Sequence, residues 1–392
     1  MSHRRSVVLW FGIVTTSLAI YWGALILVDP LGIWGAPIIP GFNNYKVGQP
    51  LTLDLWKPYQ YRMVKPDVVF LGSSRVYVGL APKDYPDRSA RVYNMGMSSL
   101  SLKDALAYVQ FMITTHKPRK IYLGLDLFQF GTESAEGVRA GFSQHRLGRI
   151  SGSWLSSLLF KLEETSGTGA LASKTVEESR KKTGTLLFEG GWDVQRGSAR
   201  EWNRDAWVLY LKNFMKTYET FSLSEESFVD LEAILSLCHE ERIEVELFFN
   251  PLTDDLLALI WLTGRYSALE EVKRRTGSLH PFRDFAVMSE LSVNMGNFHD
   301  ASHYTGTTGA RFVLMKEGNS SYGPVRAATV EDWLDSSRSL LRKSLEQGAF
   351  ALLREGVEVY RAGDGKSVDR LVREYMESRE RAAGESREIV TD

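Results

Sequence analysis

One cysteine, Cys238, is all the chain has in 392 residues. No disulfide can therefore form within it. A cystine-free domain is admissible in a reducing or an oxidising compartment, so the lack leaves localisation open. In a predicted helix, Cys238 reads as an inert core residue. Net charge is missing too: 47 Lys and Arg against 48 Asp and Glu leave −1. No global field draws the chain to nucleic acid or to an acidic surface. There is no His-Glu-x-x-His helix and no internal repeat, and no metal or nucleotide cofactor is implied. One long stretch, Ser6 to Val28, lacks charge altogether.

What is present is ordinary for a globular protein: 44% hydrophobic and 24% charged residues, enough for one large core or two modest ones. The uncharged stretch exceeds the ~20 residues that cross ~30 Å of hydrocarbon. His3, Arg4 and Arg5 precede it and Asp29 follows. Positive-inside bias then puts the N-terminus in the cytoplasm and the rest outside, a single-pass arrangement. A cleaved signal peptide is the alternative, with an apolar region usually of 7–15 residues. Trp10, Tyr21, Trp22 and Trp34 are candidate interfacial residues.

The expected organisation is an anchor (1–29), a Gly- and Pro-containing connector (30–65), an α/β domain (66–328) and a helical extension ending in a polar tail (329–392). Strands are expected at Asp67–Leu71, Arg91–Asn94, Lys120–Leu125, Ile243–Phe249 and Phe282–Met288. Helices are expected over Ser99–Thr115, Leu223–Glu241 and Leu252–Thr276. This alternation implies a mainly parallel sheet covered on both faces. Residues 131–221 interrupt it as a long insertion with Trp154, Trp192, Trp202 and Trp207, suited either to a core or to stacking on sugar faces.

Two motifs point to chemistry. Asp67–Arg75 (DVVFLGSSR) is an apolar run ending in Gly-Ser-Ser, which delivers a hydroxyl to the carboxyl end of a buried strand, where open α/β sheets bind ligands. Ser74 is the candidate nucleophile, with unpaired backbone N–H groups nearby to hold an oxyanion. Ser73, one position earlier, should point elsewhere. The alternative is that Gly-Ser-Ser only turns the chain and caps a helix. The second motif is Asp300-x-x-His303. An imidazole titrating near ~6.5 is a candidate general base, and Asp300 can hold its tautomer. The alternative is a surface loop with a capping Asp.

Together, Phe-Leu-Gly-Ser-Ser-Arg after strand one, Asn94-Met95-Gly96 after strand two, a polar residue after strand three and Asp300-x-x-His303 resemble the SGNH (GDSL-like) hydrolase superfamily. They are most similar to its membrane-anchored bacterial branch, related to alginate acetylation and teichoic-acid D-alanylation proteins. The resemblance spans about residues 65–130 and 243–315. It implies a three-layer, flavodoxin-like α/β sandwich, Ser74 as nucleophile, His303 and Asp300 as base and orienting acid, and Gly96 as an oxyanion donor through its backbone N–H. The chain departs from the pattern twice. Ser73 stands where the family motif has Asp, and Asp126 stands where an Asn would donate an amide. An ionised Asp126 repels an oxyanion, so Asp126 can act only if protonated, or if it instead binds a sugar hydroxyl or Arg75. Asn94 or Asn250 can replace the missing donor, and Arg75 can pair with Asp126 or bind an anionic substrate.

The expected function is an extracytoplasmic serine-dependent O-acyltransferase or esterase acting on a cell-envelope or exported polysaccharide. Its partners would be the polysaccharide or acyl donor, the membrane, and other acyl-transfer or polysaccharide-export proteins. The alternatives are a catalytically inactive scaffold of this fold in an envelope-polysaccharide assembly complex, and a soluble secreted lipase.

Overall fold

The computed structural model describes residues 3–135, 144–199, 201–315 and 320–388. Its main helices in chain order are α1 His3–Val28, α2 Leu53–Val64, α3 Ser74–Gly79, α4 Leu102–Thr115, α5 Trp154–Thr165, α6 Gly169–Lys181 and α7 Arg204–Glu219. They continue with α8 Glu225–Glu240, α9 Asp254–Leu262, α10 Tyr266–Leu279, α11 Val330–Glu346, α12 Ala351–Arg361 and α13 Gly365–Glu388. The chain divides into two compact units. The first comprises Met1–Lys65, Thr114–His116 and Ala140–Glu189; the second comprises Pro66–Ile113, Lys117–Arg139 and Gly190–Asp392. The insertion expected as one block is thus split between them.

In the first unit, Arg5–Val28 is long and apolar enough to cross a membrane, a test that a signal sequence also passes. Its last turns do not stand apart. Leu25 and Val28 pack with Ala172 of α6, beside Phe42 and Val176. Asp29, at φ 47°, turns the chain, and its Oδ1 accepts the Ile33 N–H at 2.9 Å.

The second unit is mixed α/β around a five-stranded sheet: β1 Val68–Leu71, β2 Val92–Asn94, β3 Lys120–Leu125, β4 Glu244–Phe249 and β5 Phe282–Asp284, in spatial order β2-β1-β3-β4-β5. Every neighbouring pair in that sheet is parallel. β1 and β3 are buried throughout, as runs such as VVFL and KIYLGL require when helices cover both faces. The order reverses at β1, which has β2 on one side and β3 on the other. A crevice opens at such a point, beyond the carboxyl ends of the strands.

Three elements differ from expectation. Leu252–Thr276 is two helices, because Gly264 adopts φ 78° after α9 and the chain restarts as α10. β5 ends at Asp284, whose Oδ1 accepts the Ala286 N–H at 3.0 Å and turns the strand. The polar tail is helical through Glu388, and its last four residues lie outside the described ones. Cys238 is buried, and burial pushes its thiol up to about 12.

Candidate active site

Ser74 is placed by what comes before it. β1 stops at Gly72, which holds φ 152°; a Cβ there would lie 2.6 Å from Val76 Cγ2 and 2.8 Å from the Gly124 carbonyl. Only glycine fits so close to β3. Ser73 caps α3, its Oγ accepting the Arg75 N–H at 3.2 Å. Ser74 is then the first helical residue, where a backbone N–H has no intrahelical partner.

The second half of the site is the loop after β5. Phe298 and Tyr304 bridge antiparallel, and the His299 N–H donates to the His303 carbonyl at 2.8 Å. Asp300 organises the turn between them. Its Oδ1 accepts the Ser302 N–H at 2.8 Å and the His303 N–H at 2.9 Å. The same carboxylate lies 2.8 and 2.9 Å from His303 Nδ1. The capping Asp and the orienting Asp, alternatives in the sequence, are therefore one side chain.

Two contacts hold this loop against α3. A Cβ on Gly79 would lie 1.9 Å from the Tyr304 ring, so the glycine lets that ring press on the helix backbone. Arg75 Nε donates to the Ser302 carbonyl at 2.9 Å. As a result, Ser74 Oγ and His303 Nε2, 229 positions apart in sequence, are 2.9 Å apart. Asp300 and His303 are each 1% exposed, whereas Ser74 is half-buried and reaches solvent. With a carboxylate at Nδ1 the ring carries its proton there, leaving Nε2 to accept from the Ser74 hydroxyl. Burial opposes the charge on Asp300, but His303 and the Ser302 N–H outweigh it and hold the carboxyl below its ordinary range.

The other sequence candidates are close by but turned inward. Arg75 and Asp126 form an ion pair with both side chains 1% exposed. The second oxygen of Asp126 accepts from Ser73 Oγ at 2.6 Å and from Asn250 Nδ2 at 3.2 Å. The remaining amide oxygen of Asn250 accepts from Tyr304 Oη at 3.1 Å. Burial works against the Arg75 charge, and Asp126 more than offsets this, so the guanidinium sits above its ordinary value. Asn94 Nδ2 donates to the Val76 and Leu80 carbonyls at 2.9 and 2.7 Å, and its Oδ1 accepts the Gly96 N–H at 2.9 Å. As folded, Asp126 and Arg75 satisfy each other in the interior, Asn94 and Asn250 brace the strand ends, and the Gly96 N–H already has an acceptor. Of the alternatives the sequence left open, Arg75 and Asp126 take the pairing with each other, while the amides of Asn94 and Asn250 and the Gly96 N–H, expected to serve an oxyanion, are bonded within the protein.

The insertion contributes residues the sequence reading did not single out. Tyr210 of α7 stands edge-on to the His303 ring, centroids 4.9 Å apart. Phe214, one turn on, lies 5.1 Å from the Arg75 guanidinium carbon. Arg196 donates to Tyr77 Oη at 2.7 Å and to Asp193 at 2.9 Å. The signal was there in part: Tyr210, Phe214 and Tyr218 recur every fourth residue, one stripe of a helix. Of the insertion tryptophans, Trp192 and Trp207 are core residues, bonded to the Val78 carbonyl at 2.6 Å and to Asp255 at 2.8 Å. Among the described residues no group of three or more His, Cys, Asp or Glu side chains converges as metal ligands would.

The chain matches no protein-family model, and no curated protein matches it.

Proposed function

We propose that the chain is a serine-dependent esterase or O-acyltransferase anchored in a bacterial inner membrane by α1. We propose further that its α/β unit is a flavodoxin-like SGNH sandwich facing the exterior and acting on an envelope or exported polysaccharide. The observation that carries this reading is the unbroken chain from Ser74 Oγ through His303 to Asp300. Ser74 Oγ attacks the carbonyl carbon of an acyl ester while its proton passes to His303 Nε2. The tetrahedral intermediate collapses, and the leaving alcohol takes that proton from Nε2. A sugar hydroxyl or water then gives its proton to Nε2 and attacks the acyl-serine, and the departing Ser74 oxygen takes that proton back from Nε2. The Ser74 backbone N–H, first in α3, is the oxyanion donor this geometry favours. The strand order β2-β1-β3-β4-β5 supports the doubly wound topology, and the basic residues in the first turn of α1 support the orientation. The substrate class rests on the resemblance and on membrane placement.

The test is a fluorophosphonate probe on the full chain. Mass spectrometry should find the adduct on Ser74, and Ser74→Ala should lose both the adduct and acyl-ester turnover. An unlabelled Ser74 with a folded protein sinks the proposal. It would favour the second reading, an inactive scaffold, for which the capture of the Gly96 N–H by Asn94 speaks.

A further inference from the structure

Outside α1, the most exposed tryptophan side chain of the first unit is Trp154, 74% exposed at the start of α5. It does not stand alone. Leu155 and Leu159 are 50% and 54% exposed, and Leu158 and Leu162 adjoin them on the same side of the helix, half-buried. Positions 154, 155, 158, 159 and 162 make one continuous apolar stripe. The opposite side of α5 is satisfied within the unit: Phe160 and Ser157 are buried, and the Ser157 carbonyl accepts from Tyr59 Oη at 3.1 Å. An apolar stripe left outside in an otherwise packed helix calls for a covering surface.

Contacts within the unit say what lies near it. The last turn of α5 is tied to the segment leaving α1, where Trp34 Nε1 donates to Thr165 Oγ1 at 2.8 Å. The next helix begins at Gly169, where a Cβ would lie 3.2 Å from Tyr21 Oη. Tyr21 is seven residues before the end of α1 at Val28, about 10 Å down the helix at 1.5 Å per residue. The connection between α5 and α6 therefore reaches alongside the last two turns of α1. From there α6 climbs back past Leu25 and Val28. Met63, 47% exposed, lies against Gly35 in the same leaving segment.

We propose that α5 is an interfacial helix: its Trp154–Leu162 stripe lies in the lipid surface at the end of α1, so that the first unit is seated on the bilayer and not merely tethered to it. The proposal rests on the reading of α1 as a membrane span. The chemistry fits a lipid interface, where tryptophan and leucine side chains presented on one helix face are stable at the level of the headgroups. The occupant is argued from continuity. A helix whose following turn touches α1 at the level of Tyr21 cannot be far from the boundary that α1 crosses.

The test uses the full chain in lipid nanodiscs with single nitroxide labels introduced by Leu155→Cys, Leu159→Cys, Glu177→Cys and Ile13→Cys. Ile13 is 58% exposed on α1, and Glu177 is a solvent-facing residue of α6. Collisions with oxygen should exceed those with a water-soluble nickel chelate several-fold at 155, 159 and 13, and the order should reverse at 177. Chelate-dominated collisions at 155 and 159 with lipid-dominated collisions at 13 overturn the seat and leave the anchor standing. Chelate-dominated collisions at 13 overturn the anchor and the seat together. Concentration-dependent spin–spin broadening at 155 or 159 assigns the stripe to a second copy of the chain and overturns the lipid assignment.

Discussion

Two polar clusters meet at the end of β1, and neighbouring serines serve them in opposite ways. Ser73 faces inward, where with Asp126, Arg75 and Asn250 it closes a buried network whose charges satisfy each other. Ser74, half-buried, faces the other way and meets His303, which Asp300 holds. Both clusters hold a carboxylate, a nitrogen-bearing side chain and a hydroxyl. They differ in where the charge ends. Asp126 is matched by a permanent cation, so a proton has no reason to move. Asp300 is matched by an imidazole, which can take a proton and return it. The inner cluster is built to stay as it is, and the outer one to change.

That contrast can be broken by substitution. The largest effect is expected from Ser74→Ala: acyl-ester turnover falls on the order of 10⁴-fold or more, with no loss of thermal stability, read by a chromogenic ester and by melting in detergent. Comparable turnover in the variant would mean that the outer cluster is not reactive. Asp300→Asn should follow, with turnover down on the order of 10⁴-fold because an amide favours the wrong tautomer of His303.

Asp300 also ties activity to acid stability. Its folded pKa lies below the ordinary 3.8, so its ionised form stabilises the fold above that value. The contribution is lost as pH falls through the lowered folded value. Below about pH 4 the wild type should therefore lose stability more steeply than Asp300→Asn; equal slopes would detach Asp300 from the fold.

The inner cluster should answer in stability. Asp126→Ala strands the Arg75 guanidinium, 1% exposed, and should cost about 3–5 kcal/mol. A variant as stable as wild type would show that Arg75 finds another partner. The smallest effect is expected from Ser73→Ala, about 1–2 kcal/mol from a lost helix cap and one buried hydrogen bond, with the fluorophosphonate adduct still on Ser74. Loss of the adduct in that variant would erase the distinction between the two serines.

Much of the scaffold was legible in the residues. The runs VVFL and KIYLGL read as buried strands and are buried throughout, while EVELFF, with two glutamates, is a strand buried only over its last three residues. Gly264 could not be weighed from sequence, because an isolated glycine is tolerated in a helix until its backbone takes a positive φ. Asp126 could be recognised as a departure, but its cost depended on whether a cation lay within reach. Arg75, 51 positions earlier, supplies one only after β1 and β3 pair. Gly96 was placed at the correct strand end, yet the acceptor that captures its N–H sits two residues before it, a local detail decided by the side-chain rotamer of Asn94.

The sequence by itself determined that this chain has an apolar N-terminal helix of membrane-crossing length, a parallel sheet, and a serine and an Asp-x-x-His at strand ends. Those are properties of local pattern: period, composition and the residues that break a run. Only the tertiary structure decided which serine meets the imidazole, which carboxylate is neutralised by arginine, and which insertion helix lines the site with Tyr210. Such choices depend on distances between segments far apart in the chain. Those distances are set by strand order and by close backbone approaches at Gly72 and Gly79.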